Sequence, residues 1–206
     1  MPESAAAQPS HPRSCRALAA AGLGLVLFAA SAGGCRSRTV SAGEERIART
    51  FNRADDEIDV PIWTVMQMGS LGGALGVAAA FGLAGDRSTG AAMATSSTAM
   101  WGGAKLVKPL VGRGRPARHL DGIRIRGKEQ TGLGFPSGHT AVSLTVAIIG
   151  SRAASPRLSG TLYAAAATTA VARMYVGAHL PIDVLGGVGL GLMAGGLTVT
   201  CLDRTE

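Results

Sequence analysis

Long uncharged runs separate short charged segments along most of the chain. The first run covers residues 17–34 and follows two arginines. Five further runs cover residues 60–85, 88–104, 140–151, 158–172 and 184–202. A helix needs about 20 apolar residues to cross the hydrocarbon core of a membrane, so the shorter runs must extend into the residues that flank them. The pattern predicts helices over 61–84, 89–111, 137–152, 158–176 and 181–201.

The composition favours helices that pack together inside a membrane. Only 16% of the 206 residues are charged and the mean hydropathy is +0.26, which excludes a disordered, solvated chain. Three widely spaced cysteines exclude a disulfide-stapled scaffold and a zinc ribbon. Gly187, Gly191 and Gly195 lie on one helix face, where small residues allow close packing. We therefore predict an all-α fold, an integral membrane helix bundle with five to six transmembrane helices.

The N-terminal run has three interpretations. Residues 30–32, Ala-Ser-Ala, resemble a signal-peptidase site, so the run can be a cleaved signal peptide. Residues 32–35, Ala-Gly-Gly-Cys, form a weak lipoprotein box, in which Cys35 would be lipidated. In the third interpretation the run is an uncleaved membrane anchor. All three interpretations place residue 36 outside the cytoplasm.

The chain divides into three parts, which are 1–35, the exposed charged segment 36–60 and a membrane domain over 61–202. The charged segment carries both signs of charge and predicts a short amphipathic surface helix, to which we assign no chemistry. With the N terminus inside, successive helices cross in alternate directions and place residues 112–136 outside. This segment is strongly basic, against the positive-inside rule, and a bound anion would explain why.

The net charge of +7 does not indicate nucleic-acid binding. Eight of the 20 basic residues fall between Lys105 and Lys128, and no aromatic side chains for base stacking are interleaved with them. An anion at a membrane surface is the better partner. We assign several of these side chains to headgroup or solvent contacts, and two histidines to no function. They are Arg113, Arg118, Arg124, Arg126 and Lys128, with His11 and His119.

Three short motifs lie at the predicted outer ends of the helices. The first is a lysine followed, after six residues, by Arg-Pro; the second is Phe-Pro-Ser-Gly-His; the third is an arginine, a histidine and an aspartate. Their polar residues and glycine are Lys108 and Arg115, then Ser137, Gly138 and His139, then Arg173, His179 and Asp183. Because cations at membrane depth usually mark a site, we expect one pocket to collect these groups.

The residue types in these motifs suit phosphate chemistry. The lysine and both arginines can neutralise and orient phosphate oxygens. Ser137 and Gly138 precede a predicted helix, whose N-terminal N–H groups attract anions. His179 and Asp183 are four residues apart, so the carboxylate can orient one imidazole nitrogen and leave the other nucleophilic. His139 is then available as a general acid.

The three motifs resemble the signature of the type 2 phosphatidic acid phosphatase superfamily. That signature is Lys-x6-Arg-Pro, Pro-Ser-Gly-His and Ser-Arg-x5-His-x3-Asp, and all three parts occur in order over residues 108–183. The departure is Ala172, which stands where the family has serine. The resemblance implies that His179 forms a phosphohistidine steadied by Asp183. It also implies that His139 protonates the leaving oxygen and later activates water.

The resemblance implies further that the cations, Ser137 and Gly138 bind the phosphoryl oxygens, with no metal or cofactor. The expected substrate is a lipid phosphate or lipid pyrophosphate, such as undecaprenyl pyrophosphate or phosphatidic acid. The expected location is a bacterial cytoplasmic membrane, with the site facing the periplasm or exterior. A soluble acid phosphatase or haloperoxidase disagrees with the apolar runs and short chain. A non-catalytic lipid-phosphate-binding protein with a decayed site stays open, as does homo-oligomer formation.

Overall fold

Eight α-helices account for most of the residues described by the computed structural model, which are 12–37, 39–54, 59–128 and 131–205. The helices are α1 (Pro12–Gly34), α2 (Ala42–Asn52), α3 (Asp59–Met66), α4 (Leu71–Leu83), α5 (Arg87–Val111), α6 (Gly138–Ala153), α7 (Pro156–Tyr175) and α8 (Pro181–Thr205). The all-α class is confirmed. The last four helices match the predicted ones closely, and a short helix, α2, occupies the charged segment.

Polar side chains define where several helices begin. Ser70 accepts a hydrogen bond from the backbone of the first turn of α4, and Asp86 does the same for α5. Ser155 caps α7 and is followed by a proline at the first helical position, where the missing N–H is not needed. At the other end of α5, Gly112 adopts a left-handed conformation with φ of 68°. These caps explain why the helix boundaries follow charged and turn-forming residues.

The predicted single helix over 61–84 is wrong, because two helices occupy this run. α3 and α4 meet at a bend of 73°, and Ser70 between them is extended, with ψ of 156°. The chain passes very close to α6 at the break: a Cβ on Gly69 would lie 2.5 Å from the carbonyl oxygen of His139. The bend therefore directs α3 against the end of α7, where Met66 packs with Ala172 and Tyr175, instead of continuing the line of α4.

Close helix packing holds α8 between α1 and α6. The three glycines Gly187, Gly191 and Gly195 face α6, and a Cβ at any of them would lie within 3 Å of an α6 atom. On the opposite side of α8, Gly24 and Gly189 oppose each other, so a Cβ on Gly24 would lie 2.5 Å from the carbonyl oxygen of Gly189. The predicted glycine strip is thus confirmed as a packing surface.

The outer surface of the bundle is apolar. Ser14–Gly34 and Pro181–Thr205 are each long and apolar enough to cross a membrane, and the bent pair α3–α4 makes a third span if it is counted as one. Exposed aliphatic side chains cover the outside of several helices, among them Leu23, Leu25, Val26, Leu83, Leu106 and Leu110. Such a surface belongs in lipid, so the protein is an integral membrane helix bundle.

One end of the bundle, which we name the site end, consists of the ends of α1, α5 and α7 and the beginnings of α6 and α8. The loop between α5 and α6 folds over this end, where the Gly134 N–H donates to the Arg113 carbonyl and the Arg126 N–H to that of Val176. α2 lies there as well, because the Asn52 side chain donates to the carbonyl of Tyr175. All three motifs therefore lie at the site end.

Candidate active site

The turn between α7 and α8 positions the histidine and the aspartate of the third motif. The carbonyl of Arg173 accepts hydrogen bonds from the N–H groups of Ala178 and His179, both at 3.1 Å. Gly177 has φ of 72°, and a Cβ there would lie 2.5 Å from the carbonyl oxygen of Arg124. This left-handed turn packs against the α5–α6 loop and places His179 next to it. Asp183 follows four residues later, in the first turn of α8.

His179 and Asp183 form a buried pair. Nδ1 of the imidazole lies 3.5 Å from Oδ2 of the carboxylate, and the same oxygen accepts the Leu180 N–H at 2.9 Å. Nδ1 and the second oxygen, Oδ1, have no hydrogen-bond partner in the described part of the chain. Because Nδ1 faces the carboxylate, Nε2 is the nitrogen available to a substrate. The contact is longer than an ordinary hydrogen bond.

The electrostatic surroundings keep His179 neutral. Burial is the largest cause, and the positive charges of Arg173, Lys108 and Arg115 add to it, so the pKa of His179 lies well below its ordinary value. A neutral imidazole retains the lone pair that a nucleophile needs. The same three cations would attract the negative charge of a phosphate group.

The three cations differ in how much of their hydrogen-bonding capacity the protein uses. Lys108 donates to the carbonyls of Leu133, Gly134 and Pro136 at 2.8–3.1 Å and so holds the loop before α6. Arg115 donates to a carbonyl of the α7–α8 turn, and Arg173 donates to the sulfur of a methionine in α3. The Nε atoms of both arginines are buried without a partner among the described residues.

The beginning of α6 forms the third side of the site. The Ser137 side chain does not cap the helix, and its oxygen accepts the Thr140 hydroxyl at 2.9 Å instead. A Cβ on Gly138 would make only an ordinary contact of 3.7 Å, so no protein atom demands a glycine here. The uncapped helix start and the missing side chain leave room for an anion against the backbone N–H groups. His139 lies in the first turn of this helix.

A cavity of about 150 Å³ opens at the site end beside the two arginines, and Lys108, His139 and His179 are not among its lining residues. Arg115 and Arg173 line it, together with Trp63 from α3 and Arg118 and Lys128 from the loop. The cavity gives the two buried arginines access to a ligand. In the part of the chain that the structure describes, no group of three His, Cys, Asp or Glu side chains is arranged to hold a metal ion.

Arg113 does not have the surface role that the sequence suggested. It is 4% exposed, and its Nη2 donates to both carboxylate oxygens of Glu44 at 2.9 Å. Burial alone would lower the pKa of Arg113, but Glu44 and Asp183 outweigh burial and raise it. The carboxylate belongs to α2, so segment 36–60 contributes a buried contact and is not only a solvated surface. No local signal predicts the pairing, since the two residues are 69 positions apart.

Arg126 is a second buried arginine that the sequence placed at the surface. Its guanidinium donates to the carbonyls of Asn52, Ala54 and Tyr175, each at 2.8 Å, and lies 4.1 Å from the Tyr175 ring centroid. It therefore fastens the loop to α2 and α7. Arg118, Arg124 and Lys128 are exposed as expected, whereas His11 lies outside the described residues. His119 is half-buried and takes no part in the arrangement above.

Comparisons with known proteins agree with this geometry. A model of the PAP2 superfamily matches residues 87–206. The chain is 31% identical over 93 residues to a lipid A 4'-phosphatase of Porphyromonas gingivalis, and the match covers 43% of this chain and 39% of that protein. The chain thus spans about two fifths of the length of this relative.

Two solved structures share the fold. The crystal structure of Aquifex aeolicus LpxE has a TM-score of 0.70 and 22% identity, covering 77% of this chain and 96% of the other. The transmembrane PAP2 type phosphatidylglycerolphosphate phosphatase of Bacillus subtilis has a TM-score of 0.72 and 18% identity, covering 95% and 98%. With the motifs at one end of the bundle and the family match over its C-terminal part, the chain belongs to the PAP2 superfamily.

Proposed function

We propose that this protein is a membrane phosphatase that hydrolyses a lipid phosphate or lipid pyrophosphate through a phosphohistidine intermediate. The observation that carries the proposal is the pairing of a neutral His179, which faces the Asp183 carboxylate, with two arginines, Arg115 and Arg173. Their buried Nε atoms have no hydrogen-bond partner among the described residues. Buried donors of this kind are costly unless a ligand satisfies them, and phosphate oxygens are suitable acceptors.

In the first proposed step, Nε2 of His179 attacks phosphorus. The N–P bond forms as the bond from phosphorus to the leaving oxygen breaks, and His139 donates a proton to that oxygen. The leaving oxygen is that of the lipid alcohol in a lipid phosphate and the bridging oxygen in a lipid pyrophosphate. Asp183 then stabilises the positive imidazole through Nδ1–H. In the second step, His139 removes a proton from water, the water oxygen attacks phosphorus, and the N–P bond breaks. The products are inorganic phosphate and the lipid alcohol from a lipid phosphate, or inorganic phosphate and the lipid monophosphate from a lipid pyrophosphate.

The residues that bind the phosphoryl group are Lys108, Arg115, Arg173, Ser137 and the N–H of Gly138. They hold positive charge and donors where negative charge develops in the transition state, which is the most effective form of electrostatic catalysis. The proposed mechanism therefore assigns no step to a metal ion or cofactor.

A lipid substrate agrees with the surroundings of the site. The site end lies on a bundle whose outer surface is apolar, so a phosphate headgroup can enter the site while its acyl or prenyl tail stays in the membrane. The relative from P. gingivalis and the B. subtilis protein are both named for phosphorylated lipids. Undecaprenyl pyrophosphate and phosphatidic acid are candidates for this protein.

We propose a bacterial cytoplasmic membrane as the location, with the site end facing the periplasm or exterior. The alternating directions of the helices support opposite locations for the site end and the α6–α7 turn. Single cysteines at Arg118 and Arg157, in a chain without its natural cysteines, would be exposed to an impermeant maleimide on intact cells. We expect labelling at position 118 alone; labelling only at position 157 would reverse the orientation.

For the N-terminal run, we propose the uncleaved anchor. Cleavage before Cys35 would remove α1, whose Gly24 packs on Gly189 of α8 and whose Phe28 ring lies 5.7 Å from that of Phe135 beside the site. The intact mass of the purified protein tests this directly, since cleavage and lipidation each change it.

Gly24→Leu should destabilise the bundle by about 1–3 kcal/mol. Gly22→Leu is the control, because Gly22 has open space around it.

The central experiment is phosphate release by detergent-purified protein from a panel of lipid phosphates and pyrophosphates, with EDTA present. We expect release that disappears in His179→Ala and continues in His119→Ala, together with an acid-labile phosphoryl group on the wild-type protein. Folded protein that binds a lipid phosphate without releasing phosphate would instead support the non-catalytic alternative. Ala172→Ser would then show whether the missing hydroxyl is the reason.

A further inference from the structure

We propose that Glu44 and Arg113 form a buried ion pair that positions Asp183, and through it His179, for reaction with the phosphoryl group. Both are positioning residues, since the Glu44–Arg113 pair contacts Asp183 and its neighbours instead of the substrate. The inference rests on the proposed function, and it gives the charged segment before α3 a role in catalysis. Glu44 lies outside residues 87–206, where the family match is found.

The Glu44–Arg113 ion pair is almost completely buried from solvent. Nη2 of Arg113 lies 2.9 Å from both carboxylate oxygens of Glu44, and the two side chains are 3% and 11% exposed. Glu44 is in the first turn of α2, where its own N–H donates to the Ser41 side chain at 3.2 Å. Burial on this scale requires that each charge be satisfied by a definite partner, so the pair has one geometry.

Arg113 extends this geometry to the aspartate. Its other terminal nitrogen, Nη1, lies 3.8 Å from Oδ1 of Asp183, the carboxylate oxygen that has no hydrogen-bond partner in the described residues. The backbone carbonyl of Arg113 accepts the Gly134 N–H at 2.7 Å. A Cβ on Gly134 would lie 2.8 Å from Oδ2 of Asp183. The carboxylate is therefore enclosed between the guanidinium and the loop that the arginine holds.

Glu44 also reaches the helix that carries the aspartate. One of its carboxylate oxygens, Oε1, accepts the Ile182 N–H at 3.3 Å, one of the backbone donors that a helix start leaves unpaired. The Asp183 carbonyl in turn accepts the Ser137 N–H at 2.9 Å. Thus α2, the α5–α6 loop and the first turns of α6 and α8 all meet at Asp183.

The alternating charges of Glu44, Arg113 and Asp183 explain why both Glu44 and Arg113 are needed to position the aspartate. Arg113 offsets the buried negative charge of Asp183. Held by Glu44, it approaches only one oxygen of Asp183 and leaves Oδ2 facing His179. Without Glu44, the guanidinium would be free to close on Asp183 and compete with His179. Without Arg113, two buried carboxylates would face each other. Each single loss should therefore misplace the imidazole.

The test compares this pair with a second ion pair at the opposite end of the bundle. Arg152 Nε donates to Asp203 Oδ1 at 2.8 Å, and the side chains are 11% and 10% exposed. We would measure kcat, KM and thermal midpoint for Arg113→Met, Glu44→Gln, the double variant and Arg152→Met. The substrate is the lipid phosphate that the wild type hydrolyses best.

Arg113→Met should lower kcat by about 10- to 100-fold with little change in KM, because a small displacement of a reacting group has this effect. Arg152→Met should lower the thermal midpoint but leave kcat unchanged. The double variant should lose less than the product of the two single losses, as expected for residues that act together. If Arg113→Met does not fold, Glu44→Gln, which keeps the size and shape of the side chain, provides the test.

Equal losses of kcat in Arg113→Met and Arg152→Met would show a merely structural role and overturn the proposal. An unchanged kcat in folded Arg113→Met and Glu44→Gln would also overturn it.

If the wild type releases no phosphate from any lipid, the proposed function fails, and orthovanadate binding replaces turnover as the readout. Binding that needs His179 and weakens about 10-fold in Arg113→Met, but not in Arg152→Met, would still support positioning. Unchanged affinity in Arg113→Met, or no His179-dependent binding, would overturn it.

Discussion

Both ends of the helical bundle hold a buried arginine–carboxylate pair, but the carboxylates have different surroundings. At the end away from the site, Asp203 has both oxygens bonded, one by Arg152 at 2.8 Å and one by the Ser14 hydroxyl at 3.2 Å. At the site end, one oxygen of Asp183 has no hydrogen bond among the described residues, and its arginine stays 3.8 Å away. The hydrogen-bonding capacity of Asp203 is used within the protein, whereas Asp183 retains an oxygen that can still accept a hydrogen bond.

The same contrast extends to the other buried polar atoms. Seven buried side-chain nitrogen or oxygen atoms in the described residues lack a partner, and two of them are hydroxyls of α5. All the ionisable groups among them belong to the site end; these groups are Arg115, His119, Arg173, His179 and Asp183. Unsatisfied charge in a buried region is unfavourable for folding. The concentration of such groups at one end supports the proposed phosphate site there.

The largest expected effect comes from the proposed nucleophile at the site end. His179→Ala removes the proposed nucleophile and should lower the rate of phosphate release by about 10⁴-fold or more. His119→Ala removes another histidine of the same end and should leave the rate nearly unchanged. Phosphate release under saturating lipid measures both. Substantial turnover in His179→Ala would remove the histidine from the mechanism.

Arginine-to-lysine replacements at both ends give the next largest effect. Arg173→Lys keeps the charge but loses the planar fork and its Nε, so kcat/KM should fall by about 10²-fold. Arg152→Lys makes the same change at the opposite end and should leave kcat/KM close to that of the wild type. The comparison uses initial rates at low substrate concentration. A similar loss in both variants would mean that lysine perturbs folding instead of the site.

Substitutions in the Arg152–Asp203 pair, at the end away from the site, should lower stability and leave kcat unchanged. Asp203→Asn removes the carboxylate charge that Arg152 contacts at 2.8 Å and should lower the free energy of unfolding by about 3 kcal/mol, with kcat unchanged. The thermal midpoint in detergent and kcat are measured on the same preparation. Asp183→Asn is the counterpart, and we expect it to reduce kcat strongly. A fall of kcat in Asp203→Asn would show that the two ends are coupled.

The smallest expected effect concerns pH. Burial and three cations hold the pKa of His179 well below its ordinary value of 6.5, so protonation of this nucleophile should not lower kcat/KM as the pH falls through 6.5. The unfolded histidine does take up a proton there, so folding stability should decrease below pH 6.5. Rate and stability profiles between pH 5 and 8 test both statements. A fall of kcat/KM with decreasing pH at or above pH 6.5 would contradict the first statement, if this fall persists when other titratable residues are substituted.

Sequence patterns predicted α5 to α8 well because each apolar run ends at charged residues or at caps such as Asp86 and Ser155. They did not predict the break between α3 and α4, since the run over 60–85 contains no charge. That break depends on a local cap at Ser70 and on the close contact of Gly69 with His139 of α6. The contact exists only when both helices are in place.

Prediction from sequence has the same limit at the candidate site, as the three motifs and the neighbouring Glu44–Arg113 pair show. Lys108 and Arg115, or His179 and Asp183, are near each other in the chain, so their spacing indicates a joint role. Glu44 and Arg113 are far apart, and each looks like a surface charge in its own segment. Their pairing depends on α2 lying against the site end, which no local pattern reveals.

The amino-acid sequence alone determined the all-α membrane class, the positions of most helices and the identity of the motif residues, because hydrophobic periodicity, caps and short spacings are local properties of a chain. Only the tertiary structure decided that α3 bends over the site, that α1 packs on α8, and that Arg113 is buried beside Asp183. These features depend on contacts between distant segments, where the burial of each charge is set by neighbours that the chain brings together only on folding.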